Sequence, residues 1–271
     1  MALPIGRHKL KMFKSKVLNS KLVKTLALTT GILGFATGCD NLVDQATQTF
    51  KADHGVKTEE VAQAKKPKVT DLKKIATSYN GEKVVTVNNN KADFTQDQLD
   101  KVRLTQTDPT WQEYSNLDNM NRVGVATALL GMQNQPKEKR DDRLNTKPTG
   151  WHQKKLSDGS YLYDRSHLIG FQLSGQNDNP KNLMTGTKDF NRKSMLKYEN
   201  MVDKEVEKGS YVLYEVKPVF IGSEKVARGV NMKAKSMNNQ NLEFNVFCHN
   251  VQDGVEINYE DGTSKLTGKL K

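Results

Sequence analysis

Cysteine is nearly absent: two in 271 residues, too few for a disulfide scaffold or a four-thiolate zinc site. Seven prolines and nineteen glycines exclude collagen-like repeats and bulk low complexity. No apolar run reaches the roughly eighteen residues that a membrane-spanning helix needs, which excludes a polytopic membrane protein. Internal repeats are missing at any period. What is present is 35% hydrophobic and 27% charged residues, in a chain longer than one typical domain and short of two. A soluble globular domain with additional sequence at one end accounts for this composition.

The net charge of +11 is unevenly placed. Residues 1–38 contain Arg7 and six lysines (Lys9, Lys11, Lys14, Lys16, Lys21, Lys24) and no acid. Removing those seven groups leaves 35 basic residues against 31 acidic, a net of +4 for residues 39–271. So mild an excess permits nucleic-acid binding without arguing for it.

The N-terminus reads as an address. A lysine-rich segment precedes the short apolar stretch Leu26–Ala36 and then Thr37-Gly38-Cys39, the pattern of a signal peptide or signal anchor over 1–38. Ala36-Thr37-Gly38-Cys39 also resembles a lipobox, in which Cys39 carries lipid attachment to the membrane. Ala36 stands where leucine is usual, and Ala-x-Gly equally suits ordinary signal peptidase. Surface lipoprotein, anchored protein and free secretion therefore all stay open, each extracytoplasmic. Residues 39–70 are polar with few large apolar side chains, a flexible spacer.

From Asp71 the texture becomes that of a folded domain running to 271. Glu82–Val87 is a strand followed by an Asn88–Asn90 turn, and Thr95 caps a short helix. Arg122–Leu130 is a central strand, 133–148 a surface loop, and Tyr161–Tyr163 a short strand. Met195, Tyr198, Val202 and Val206 recur at helical spacing and predict a helix over 187–208, started by Thr187 or Asp189 and ended by Gly209. Strands follow over 211–220, 226–236 and 242–249. Strands outnumber helices, giving an α+β fold with a mostly antiparallel sheet. Cys248, on the last of these strands, reads as a small buried thiol, and Trp151 as a core residue.

Of five histidines, His167 has the most suggestive neighbours: Asp164-Arg165-Ser166-His167, then Asn179-Pro180-Lys181-Asn182, then Phe190-Asn191-Arg192. His152 and His249 read as structural. Phosphodiester hydrolysis needs a base for water, a cation at the phosphate and a hold on a metal ion. Imidazole suits the first near neutral pH. Arginine matches phosphate geometry, and magnesium is satisfied by one or two protein oxygens plus waters. On a regular α-helix Asn191 and Glu199, eight apart, lie about 80° apart in azimuth and about 12 Å along the axis. Side chains lean toward the helix N-terminus, so Glu199 reaches back to a metal-bound water while Asn191 touches the ion.

These three motifs in order resemble the DNA/RNA non-specific endonucleases of the ββα-metal type, and among them the streptococcal secreted and surface nucleases. The similarity spans roughly 72–265. It implies a ββα-metal finger on a larger antiparallel sheet, and cleavage of DNA and of RNA as substrates held through backbone contacts. It implies magnesium as cofactor, with manganese as a substitute, and products bearing 5′-phosphates. Residue by residue, it makes His167 the general base and sets Arg165 near the scissile phosphate. It makes Asn191 a metal ligand with Asn182 in support, and places Glu199 on the metal helix. Arg192 and Lys193, beside the metal, would track the substrate backbone. The family's Asp-Arg-Gly-His signature has glycine where this chain has Ser166, a concern only if that position needs a positive φ. Two rivals are a catalytically inactive surface nucleic-acid-binding lipoprotein and a surface adhesin without a nucleic-acid role.

Overall fold

The computed structural model describes residues 70–141 and 143–268. The expected signal segment, Cys39 and all of the expected spacer but Thr70 lie outside the described residues. Among the described residues four α-helices occur in chain order: α1 Leu72–Thr77, α2 Gln96–Asp100, α3 Phe171–Ser174 and α4 Leu196–Glu207. The ten strands are β1 Val84–Thr86, β2 Trp111–Tyr114, β3 Ala126–Leu130, β4 Tyr163–His167, β5 Leu183–Thr187, β6 Val212–Val219, β7 Gly229–Ser236, β8 Glu243–His249, β9 Val255–Ile257 and β10 Ser264–Leu266. Among the described residues no helix is long and apolar enough to cross a membrane.

Six strands form one sheet in the order β1-β8-β7-β6-β3-β2, every pair antiparallel. The α+β expectation holds. Alternation in β6, β7 and β8 sends Val212, Tyr214, Val216, Met232, Ala234, Phe244 and Val246 to one face, where they meet Met195, Val202 and Val206. The opposite face is more polar. There Lys233 meets Glu215 at 3.2 Å, and Asp93 and Phe94 of the 88–95 segment close over its ammonium group. Burying both charges is tolerable because each has its partner.

Against the apolar face stands a separate hairpin, β4 paired with β5, followed by the helix. This ββα unit is the expected finger, with two differences from the sequence reading. The strand at 161–163 runs instead from Tyr163 to His167, so the whole Asp-Arg-Ser-His motif lies on it. Residues 183–187, of which only Thr187 has a reading in the sequence, as a helix start, form β5. The helix itself begins at Phe190 with a π-helical stretch, Phe190–Met195, before α4. Gly209, at φ +86°, ends it, the left-handed stop that glycine favours. Thr95 caps α2 with a reciprocal Gln98 bond. The Asn88–Asn90 turn holds three consecutive left-handed asparagines, a conformation asparagine tolerates better than most residues.

The finger's helix is anchored at its head by Asp189, which is buried. Its carboxylate takes Lys193 Nζ at 2.7 Å and Lys83 Nζ at 2.9 Å, and Lys83 also reaches Asp253 at 2.8 Å. Burial pushes Asp189 upward, but the two lysines win and hold its carboxyl below the usual range.

Candidate active site

The finger and the loops facing it enclose an open cleft of about 740 Å³. His167, Arg165, Asn191, Arg192 and Glu199 all line it. Sequence motifs separated by more than thirty residues are thus brought to one place.

His167 ends β4 with its ring largely buried. Its Nε2 lies 2.8 Å from the carbonyl oxygen of Asn177. A carbonyl only accepts, so Nε2 carries the proton and donates it, leaving Nδ1 as the basic nitrogen. Burial lowers the imidazole's pKa, with the nearby Arg140 charge adding to this and the Asn177 bond opposing it. The ring is therefore neutral at physiological pH.

Arg165 is fixed from two sides. Its Nε donates to the Thr146 carbonyl at 2.5 Å, and its guanidinium lies over the Trp151 ring, 4.7 Å from the centroid. Thr146 is itself held, because Asp178 accepts from the backbone N–H groups of Asn145 and Thr146 at 2.8 and 3.1 Å. Trp151 is only half-buried. It packs on Tyr163 and lines the cleft instead of sitting wholly in the core.

Asp164 was read only as part of the motif, and the structure gives it a definite task. Its Oδ2 accepts from Asn191 Nδ2 at 3.1 Å, which leaves the amide oxygen of Asn191 as the atom available to the cleft. Asp164 also takes Arg192 bidentately, at 2.6 and 2.7 Å. Arg192 is thus tied to the finger while still bordering the cleft.

Glu199 is buried against Gly170 and Gln172. Burial pushes its carboxyl up to about 7, against hydrogen bonds from Gln172 and Gly170 that favour the ionised form. It shares the cleft with Asn191, and the intervening π-helical stretch bonds i to i+5 and turns less per residue than an α-helix. That narrows the 80° offset expected for a regular helix.

Two expectations are corrected. Asn182 does not reach the cleft: it is wholly buried, its Oδ1 accepts from Ile169 N at 2.9 Å and its Nδ2 donates to Ile169 O at 3.0 Å. Both polar atoms brace the chain just beyond β4, leaving none for a metal. Lys193 turns away to Asp189 and does not line the cleft. Ser166, the departure from the signature, has no positive φ, so its backbone needs no glycine. Cys248 is a buried thiol, its pKa raised by that burial. His152 bonds the Asp261 carbonyl, and His249 packs between Tyr79 and Phe247, both outside the cleft.

Among the described residues no group of three or more histidine, cysteine, aspartate or glutamate side chains could hold a metal. Asn191 offers an amide oxygen and Glu199 a carboxylate to the cleft, donors suited to a hard, largely hydrated cation and not to a thiolate or imidazole cage. Arg140 and Lys188 add positive charge to the walls.

Residues 104–238 match the family model of the DNA/RNA non-specific endonucleases. The chain carries a DNA/RNA non-specific endonuclease domain. Every cleft residue named above falls inside that match, so the geometry is that of a nuclease. The nuclease NucA from Streptococcus agalactiae, solved with a magnesium ion bound, is 26% identical with a TM-score of 0.59, covering 68% of this chain and 88% of that one. Its metal-free form gives 26% and 0.58, over 68% and 86%. The nuclease fold here is therefore of the ββα-metal type, and the protein is a phosphodiester hydrolase.

Proposed function

We propose that the chain is an exported, magnesium-dependent endonuclease that cleaves DNA and RNA at the phosphodiester backbone with little regard for sequence. One observation carries the reading: His167 lines the same cleft as Asn191, Glu199 and Arg165, and its Nε2 donates to a backbone carbonyl, which keeps Nδ1 as the basic nitrogen.

His167 Nδ1 removes a proton from water as its oxygen attacks phosphorus in line, a task that suits a neutral imidazole. Arg165, held by Thr146 and Trp151, places charge beside the non-bridging phosphate oxygens where it grows in the transition state. Asn191 Oδ1, oriented by Asp164, would hold the cation, and Glu199 would support it through its hydration. When bound, magnesium supplies Lewis-acid stabilisation of the phosphate and the leaving 3′-oxygen; manganese would serve the same donors. Bond cleavage on the 3′ side of phosphorus leaves 5′-phosphates. Arg140, Lys188 and Arg192 meet the polymer through phosphates, which positions it without reading its bases. Cleavage therefore weakens as salt rises.

Export rests on the sequence of residues 1–38, with 39–70 as a spacer and the nuclease domain from 71 onward. Cys39 is the candidate lipid attachment site.

The test compares wild type with His167→Ala on plasmid DNA and on RNA, with magnesium and with chelator. Wild type should cut both polymers only with metal, the variant neither, and added imidazole should restore part of the variant's activity. A wild type that binds DNA without cutting it would favour the inactive surface-binding alternative.

A further inference from the structure

Tyr161 is 58% exposed, yet it lines the same cleft as His167. It is not on a loose loop. The chain from 153 to 163 folds back as a hairpin: Leu156 N donates to Ser160 O at 2.8 Å, Leu162 N to Lys154 O at 2.9 Å, and Lys155 pairs with Tyr161. Gln153 then clamps Tyr163 by its backbone N–H and carbonyl, at 2.9 and 2.7 Å. At the turn, Asp158 and Ser160 hold Lys188 Nζ at 3.2 and 2.9 Å, fixing a cation that lines the same cleft as the ring. A large aromatic side chain kept in water on a rigid support costs little entropy to engage, so it is preorganised for a flat partner.

Within a nuclease cleft the available flat partner is a base. Tyr161 precedes His167 by six residues, at most about 20 Å along an extended strand, which corresponds to a few nucleotides of backbone. Aromatic rings beside fixed cations are how single-stranded nucleic acids are gripped without sequence preference. In a duplex the bases are already stacked, and one must be unstacked before it can meet the ring. We propose that Tyr161 is a nucleobase-stacking subsite a few nucleotides from the scissile phosphate, which gives the enzyme a preference for single-stranded over duplex polynucleotide. This rests on the endonuclease reading above.

The test measures KM and kcat with magnesium for wild type, Tyr161→Ala and Tyr161→Phe, on a single-stranded oligodeoxynucleotide and on the duplex of the same sequence. Loss of the ring should raise the single-strand KM about tenfold or more and the duplex KM much less, with phenylalanine restoring the difference. Equal losses on both substrates, a fall confined to kcat, or phenylalanine failing as alanine does would overturn it, because each marks a structural role. A wild type that cuts well beside an Ala variant of unchanged KM discards the stacking subsite alone. A wild type that cuts neither substrate removes the endonuclease reading, and the subsite with it.

Discussion

Ser166 and Gly186 are diagonal neighbours in the finger hairpin, Ser166 pairing with Met184 and Gly186 with Asp164, and their sizes are coupled. A Cβ added at Gly186 would overlap the Ser166 hydroxyl and lie 2.9 Å from Ser166 Cβ and 2.8 Å from Phe190 Cδ1. Neither residue has a positive φ, so the conflict is one of volume and not of backbone freedom. Ser166 is wholly buried, as is Phe190, and neither can swing aside into solvent. Gly186→Ala should therefore cost about 1–3 kcal/mol, the usual range for overpacking. Ser166→Gly removes two of the three conflicting atoms, so the same alanine should cost about 1–2 kcal/mol less in that background. On its own, Ser166→Gly discards a buried hydroxyl that has no partner, a gain of about 1–3 kcal/mol. It also adds backbone entropy to the unfolded chain, a loss of about 0.5–1 kcal/mol, so it should leave stability near wild type or slightly above. Urea unfolding of the four proteins closes the cycle. Additivity, with alanine at 186 costing the same in both backgrounds, would refute the packing argument. Since Ser166→Gly restores the family's signature without touching the cleft donors, its nuclease activity should stay within about threefold of wild type.

Three further outcomes follow from the site. Asp164→Ala releases the amide of Asn191, and should weaken metal affinity or turnover about 10–100-fold; an unaltered magnesium titration of activity would refute that orientation. Asn182→Ala leaves the buried Ile169 N–H without its partner and should lower stability by about 2–3 kcal/mol in a denaturant titration, while the folded fraction binds metal normally; a selective loss of metal binding would restore Asn182 as a ligand. Glu199 holds its proton up to about 7 in the metal-free fold against an ordinary 4.5. The folded state therefore binds more protons than the unfolded between those values, and this contribution to stability, full below 4.5, is lost as pH rises through about 7. A cation must displace that proton, so apparent magnesium affinity should fall by up to about tenfold per pH unit below 7. Calorimetry at pH 6 in two buffers of different ionisation enthalpy would detect the released proton, and its absence would separate Glu199 from the metal.

Much of this arrangement was legible in residue order. The alternating runs around Tyr214, Met232 and Phe244 identify sheet strands because one face must be apolar, and Met195, Val202 and Val206 identify the helix that covers it. The finger's second strand was not, since Leu183-Met-Thr-Gly-Thr187 is short, buried throughout and interrupted by a glycine, with no alternation to read. α1 and β2 were missed for want of length. The π-helical stretch leaves no pattern in the sequence, yet it narrows the offset between Asn191 and Glu199. Asn182 shows the converse: an asparagine in a recognisable motif can brace backbone without meeting the reaction. Asp164 was in plain view, but its task depends on which side chains the hairpin places opposite it.

The anchor at the head of the finger joins distant parts of the chain: Lys83 lies 106 residues before Asp189 and 170 before Asp253. β1 likewise pairs with β8, the last strand of the large sheet. A chain that emerges N-terminus first has all its catalytic motifs, residues 164–199, before it has the strands they rest on. The cleft is therefore assembled late, after segments from both ends of the domain have docked. Until those segments have docked, a chain built in this order lacks the sheet on which its finger rests.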